Sequence, residues 1–172
     1  AFPYMHGEDW EAKPIGFNVG LDTAANMLPA DKAARDEAEQ MSSGMLLAWD
    51  PVAQKEVWRV DHRGPWNGGI LSTAGDLVFQ GNSSGVFAAY SAADGRKMWD
   101  FPAQTGIVAA PMSYELDGEQ YVAVLAGWGG AFPISAGYVS TDGGVVPNVS
   151  RLLVFKLGGQ ATLPPAPELN DL

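Results

Sequence analysis

The sequence contains no cysteine. A disulfide, a thiolate zinc site and a covalently attached c-type haem are therefore excluded within these residues. The absence does not fix the compartment, because an exported protein need not carry disulfides. Basic residues are scarce as well: 10 Lys and Arg face 20 Asp and Glu, for a net charge of -10. Nucleic-acid binding and docking on anionic lipid both depend on Lys and Arg, so this balance argues against them. Long apolar runs are also missing. The longest, Tyr121–Trp128 (YVAVLAGW), has strand length and falls far short of the roughly 20 residues of a membrane span. The first ten residues, AFPYMHGEDW, lack the basic start and apolar core of a signal peptide. They begin without methionine, in the manner of a chain cut from something longer.

What the sequence does have is glycine and proline in quantity, 21 and 12 of 172 residues, dispersed rather than clustered. That distribution suits an all-β protein with many tight turns. Residues 1–43 show little periodicity and predict a long irregular segment. Within it Pro29–Gln40 carries good helix formers, with Asp31 placed to cap one short surface helix. From Gly44 onward, strand-like runs alternate with turn residues. They cover Met45–Trp49, Glu56–Val60, Gly69–Thr73, Leu77–Gln80, Val86–Tyr90, Lys97–Phe101, Ile107–Leu116, Gln120–Leu125 and Leu152–Leu157. Asp117-Gly118 is a strong hairpin signal, because glycine supplies the positive φ that a two-residue turn demands. The tail Gly158–Leu172 is rich in proline, has little to bury and predicts an extended linker.

An internal repeat lies under this pattern. GMLLAWDPVAQKEVW (Gly44–Trp58) aligns with GVFAAYSAADGRKMW (Gly85–Trp99) at a period of 41 residues, a length typical of one propeller blade. A partial third copy starts at Arg151, where LLVFKL resembles VFAAYS. In the first two copies a tryptophan follows ten residues after an alanine, so strand–turn–strand pairing sets ring opposite small side chain. Trp58 and Trp99 are thereby predicted to pack between neighbouring sheets, as structural rather than ligand-binding residues.

The repeat form Ala-x-Asp-x-x-x-Gly-x-x-x-Trp resembles the tryptophan-docking motif of pyrroloquinoline-quinone (PQQ)-dependent alcohol dehydrogenases. Each copy departs from it once: Ser91 stands for the aspartate in one, Gln54 for the glycine in the other. The segments Pro65–Phe101 and Thr105–Phe132 are similar to the last full blade of these enzymes and to the stretch after it, the GWGG turn included. The resemblance implies the last blades of an eight-bladed propeller: an all-β fold, a partial β-propeller with a long irregular N-terminal segment. In these terms residues 1–43 are a loop, 44–60 a half blade, 61–101 a full blade, 102–157 the closing blade and 158–172 a Pro-rich tail or linker. The kinship further implies a periplasmic oxidoreductase that oxidises alcohols to aldehydes with PQQ and Ca2+ and passes electrons to a cytochrome c. It also implies the remaining blades as partners, and a haem c domain downstream in the quinohaemoprotein members.

By this resemblance Trp66 and Asn67 contact the cofactor. The Asn67 amide offers donor and acceptor to a quinone rim rich in carbonyls and carboxylates, and Gly68 and Gly69 allow backbone to approach a flat ligand. The alternative is an ordinary blade-entry loop. Trp128 and Phe132, in and after the GWGG turn, either wall the substrate pocket or pack without ligand contact. His62 precedes the Trp66 loop, and a solvated side chain is expected there. No residue matches the family's catalytic aspartate or its calcium ligands, so no catalytic residue and no metal ligand is assigned. A second functional class remains open, a non-catalytic propeller-repeat module binding a partner through its loops. The Pro65–Gly69 and GWGG loops discriminate, since an assembly module has no reason to keep them.

Overall fold

The structure, a computed structural model, describes residues 10–12, 14–15, 31–41, 43–64, 67–128 and 148–166. Among the described residues a single helix, α1 (Lys32–Met41), precedes nine strands. The Asp31 carboxylate accepts the Ala34 N–H at 2.8 Å, the capping bond expected of this residue.

The strands form three antiparallel sheets. β1 (Gly44–Asp50) and β2 (Lys55–His62) pair as a hairpin, and β3 (Asn67–Ser72), β4 (Leu77–Asn82), β5 (Val86–Ser91) and β6 (Lys97–Pro102) form a four-stranded meander. β7 (Met112–Leu116), β8 (Glu119–Ala126) and β9 (Arg151–Lys156) form the third sheet. The repeat is carried into the backbone. Ala48 faces Trp58 and Ala89 faces Trp99 across their strand pairs, and both copies shift register at the following residue. The tight turns also correspond. Gln54 and Gly95, equivalent in the alignment, both adopt positive φ, at 52° and 72°. Gln54 reaches that conformation without glycine's freedom, and the Asp50 carboxylate holds the turn by accepting the Val52 and Ala53 N–H groups.

Side-chain alternation on the four-stranded sheet feeds two cores. One face presents Val78, Ala88 and Tyr90 to Leu46, Trp58 and Val60 of the β1–β2 sheet. Burial raises the Tyr90 phenol pKa, with Lys97 opposing and Asp100 adding, so the buried ring stays neutral. The other face presents Leu71, Phe79, Phe87 and Phe101 to Val122, Val124, Ala126, Leu153 and Phe155 of the third sheet. The four-stranded sheet is therefore sandwiched, which is why β5 is buried on both faces. The outer faces of the stack are uncovered. Met45, Leu47, Trp49 and Val57 lie exposed on the β1–β2 sheet, and Met112, Leu116, Leu125 and Leu152 on the third. These open sheets are those of a partial propeller, as expected from the sequence.

Two expectations need correction. The strand predicted over Ile107–Leu116 begins only at Met112; Ile107 makes an isolated parallel bridge to Gly127. Pro111 lacks an N–H for a ladder, and Ala109 and Ala110 press instead against Gly68 and Gly69. The tail does bury something. After a turn at Gly158 (φ 73°), Leu163 packs on the larger core and Gln104 Nε2 donates to the Pro164 carbonyl at 3.1 Å.

Candidate functional site

Strand direction brings the two predicted loops to one end of the sheets. Asn67 begins β3 opposite Asn82 at the end of β4, and Ala126 ends β8 opposite Arg151 at the start of β9. The Ile107–Ala110 segment lies between them. Ile107 N–H donates to the Asn82 carbonyl at 2.9 Å, and Gly127 N–H donates to Gly106 at 2.7 Å. Further along, Ala109 and Ala110 abut Gly68 and Gly69.

Asn67 is half-buried, and its Nδ2 donates to the Gly64 carbonyl at 3.0 Å, closing its own loop. Trp128 is buried. Its backbone N–H donates to Asn148 Oδ1 at 2.9 Å, and its ring lies against Gly106, where a Cβ would stand 3.1–3.2 Å from it. Beside it is an open concavity of about 590 Å³, lined by Val108, Ala109, Leu125, Trp128, Arg151 and Leu152 among others. The Arg151 guanidinium is directed away from service as a ligand clamp: Nη1 donates to the Ala103 carbonyl at 3.2 Å and Nη2 to Gln104 Oε1 at 3.0 Å. Trp66 and Phe132, the other two predicted site residues, lie outside the described residues. Among the described residues no group of three or more His, Asp or Glu could hold a metal ion.

Two readings change. The Gly68 and Gly69 positions are filled by protein rather than open to a flat ligand. A Cβ on Gly68 would stand 3.0–3.1 Å from three backbone carbonyls, and one on Gly69 would stand 2.5 Å from the Ala110 Cβ. Nor is His62 fully solvated: it is half-buried, and its Nε2 lies 2.9 Å from Gln80 Oε1. Sequence reasoning passed over Gln80 altogether. Its signal was available: a polar residue at a core-facing position of a strand, between Phe79 and Gly81.

The same architecture is found in known proteins. The model of the PQQ glucose/ethanol/alcohol dehydrogenase β-propeller domain matches residues 30–122, more than half of the chain. The chain belongs to this family. Family relatives include the dehydrogenase subunit of a quinone alcohol dehydrogenase from Acetobacter aceti, 49% identical over 92% of this chain and 20% of the relative. Quinohemoprotein alcohol dehydrogenase ADH IIB of Pseudomonas putida is 55% identical over 90% of this chain and 22% of its own length. The solved structure of ADH-IIG from the same organism superposes with a TM-score of 0.83 at 43% identity, covering 95% of this chain and 24% of that one. The PQQ-family chain thus spans about a fifth of the curated relatives it matches.

Proposed function

We propose that this chain supplies the last blades of a PQQ-dependent alcohol dehydrogenase, with Trp66 and Asn67 on the cofactor and Trp128 and Phe132 walling the alcohol pocket. One observation carries the reading. The Asn67 strand end abuts the Ile107–Ala110 segment, whose Ile107 bridges Gly127 beside Trp128 and whose Val108 and Ala109 line the concavity. A polar contact and an apolar wall brought together in this way suit a flat, polar-rimmed cofactor with a small organic substrate.

Asn67 fits one polar contact of PQQ. Only one N–H of its amide is committed to Gly64, and an amide carries two such donors and an acceptor oxygen. The bound quinone would supply the two-electron acceptor for alcohol oxidation. This chain's part would be to hold and orient that group, Asn67 through a hydrogen bond to its polar rim and the buried Trp128 by excluding water from one wall. The catalytic base and the Ca2+ ligands belong, in this reading, to blades outside the chain. The parent, in this reading, is a periplasmic enzyme delivering electrons to a cytochrome c. We read the Trp58 contact with the Asp94-Gly95 turn as the tryptophan-docking contact, supported by the Trp58 Nε1–Ala92 carbonyl bond of 2.9 Å.

Titration of the purified chain with PQQ in the presence of calcium tests the cofactor contact, with dye-linked ethanol oxidation as the activity arm. Saturable binding weakened about tenfold in Asn67→Ala, the scale of one lost hydrogen bond, is expected. Binding that Asn67→Ala and Trp66→Ala leave unchanged would remove this loop from the cofactor site. Turnover by the isolated chain would require a base within it and overturn the assignment of the base to other blades.

A further inference from the structure

Gln80 is 6% exposed and bonds in two directions. Its Nε2 donates to the Gly68 carbonyl at 3.0 Å, and its Oε1 lies 2.9 Å from His62 Nε2. Those partners are not arbitrary. His62 is the last residue of β2 and Gly68 the second of β3, so one side chain grips both shoulders of the loop that contains Asn67. The chemistry is determinate. A carbonyl only accepts, so the amide nitrogen must face Gly68; the amide oxygen then faces His62, whose Nε2 must carry a hydrogen. Inside the loop, Asn67 closes the remaining gap by donating to Gly64.

We infer that Gln80 is a positioning residue. With His62 it ties the end of β2 to the start of β3 and so fixes the direction in which Asn67, the first residue of β3, is presented. The inference rests on the proposed Asn67–cofactor contact for its functional meaning, but not for its geometry. A buried amide is costly to strand and is retained where both its partners are fixed. Gly68 cannot give way, because its missing Cβ is replaced by the backbone carbonyls of Gly81, Ile107 and Ala109. The staple therefore fixes the first residues of β3, Asn67 among them.

Amide hydrogen exchange on the 172-residue chain tests this, followed by PQQ titration. Gln80→Met keeps the volume and removes both bonds. Exchange at Asn67–Ile70 is expected to rise about tenfold while Val122–Val124 of β8 are unchanged. His62→Gln, whose amide nitrogen has the reach of Nε2, is expected to keep wild-type protection where His62→Leu loses it. Should Gln80→Met fail to fold, that His62 pair decides. Unchanged exchange at Asn67–Ile70, an equal rise in β8, or equal behaviour of His62→Gln and His62→Leu would overturn the role. The two readings separate in the titration. Should Asn67→Ala leave PQQ affinity untouched while Gln80→Met loosens the loop, the staple stands and the cofactor contact falls. If both variants weaken PQQ, both stand.

Discussion

The two tryptophans at equivalent repeat positions face different neighbours, and the interfaces they make differ accordingly. Trp58 docks on a turn. Its ring lies where a Cβ on Gly95 would come within 2.7 Å, and its Nε1 donates to the Ala92 carbonyl. Trp99 instead meets Phe155, Phe87 and Phe101 at centroid distances of 5.2, 6.1 and 6.2 Å, and stays 40% exposed. The difference follows from what each ring meets. Trp58 meets the turn after β5, at Ala92 and Gly95, whereas Trp99 meets the Phe155 side chain of β9, and the residues after Lys156 leave the sheet through Gly158. One repeat position therefore yields a directional, hydrogen-bonded contact at one interface and a non-directional aromatic cluster at the other.

Phe87→Ala strikes hardest at the aromatic interface. Phe87 is fully buried, stacks on Phe79 and packs at a tilt on Phe155, so a loss of about 3–5 kcal/mol is expected by urea denaturation. At the docking interface Gly95→Ala sets a methyl against the Trp58 ring at a positive φ. The steric and backbone penalties combine to about 2–4 kcal/mol. Gly158→Ala is its control. It has a similar φ of 73° but nothing within 4 Å of the new methyl, so only the backbone cost of about 1–2 kcal/mol should appear. Equal losses at the two glycines would mean that Trp58 yields freely and that docking is loose.

Smaller changes sharpen the contrast. Trp58→Phe deletes the bond to Ala92 and should cost about 1–2 kcal/mol more than Trp99→Phe, which exchanges one ring for another in a cluster. The smallest effect belongs to the Lys156–Glu119 pair on the exposed face of the third sheet. Hydrogen bonds from Lys156 and Tyr121 hold the Glu119 carboxyl below its ordinary pKa, and Glu119 raises that of Lys156. The contribution of Glu119 is thus present at neutral pH and lost as pH falls through its lowered pKa; that of Lys156 is lost as pH rises through its raised one. Both groups are solvated, so Lys156→Met should leave the melting temperature nearly unchanged across neutral pH.

Strand positions were legible because alternation and turn residues act locally. Asp117 and Gly118 both take positive φ, at 53° and 78°, as a two-residue hairpin turn requires. The pairing of Ala48 with Trp58 and of Ala89 with Trp99 was legible for the same reason. The site was legible only as far as motif likeness reached. Gln80 escaped because its partners come from positions 12 and 18 residues away, which no local pattern connects. Gly68 and Gly69 were assigned to a ligand when their neighbours are other backbone, a close approach that depends on how sheets stack. Leu163 looked like linker because the core it packs on is built by residues distant in sequence.

The uncovered faces at the two ends of the stack also bear on symmetry. One is built on a two-stranded sheet around Trp49, the other on a three-stranded sheet around Leu125 and Leu152. A twofold dimer joins like patch to like patch. Unlike ends instead favour heterologous association, in which each copy added leaves a fresh end exposed. Such growth stops only if the rotation per step closes a circle, and otherwise it runs on as a filament. A propeller is the closed solution carried out within one chain, so the apolar ends of this piece turn ring closure from a matter of shape into a condition for solubility.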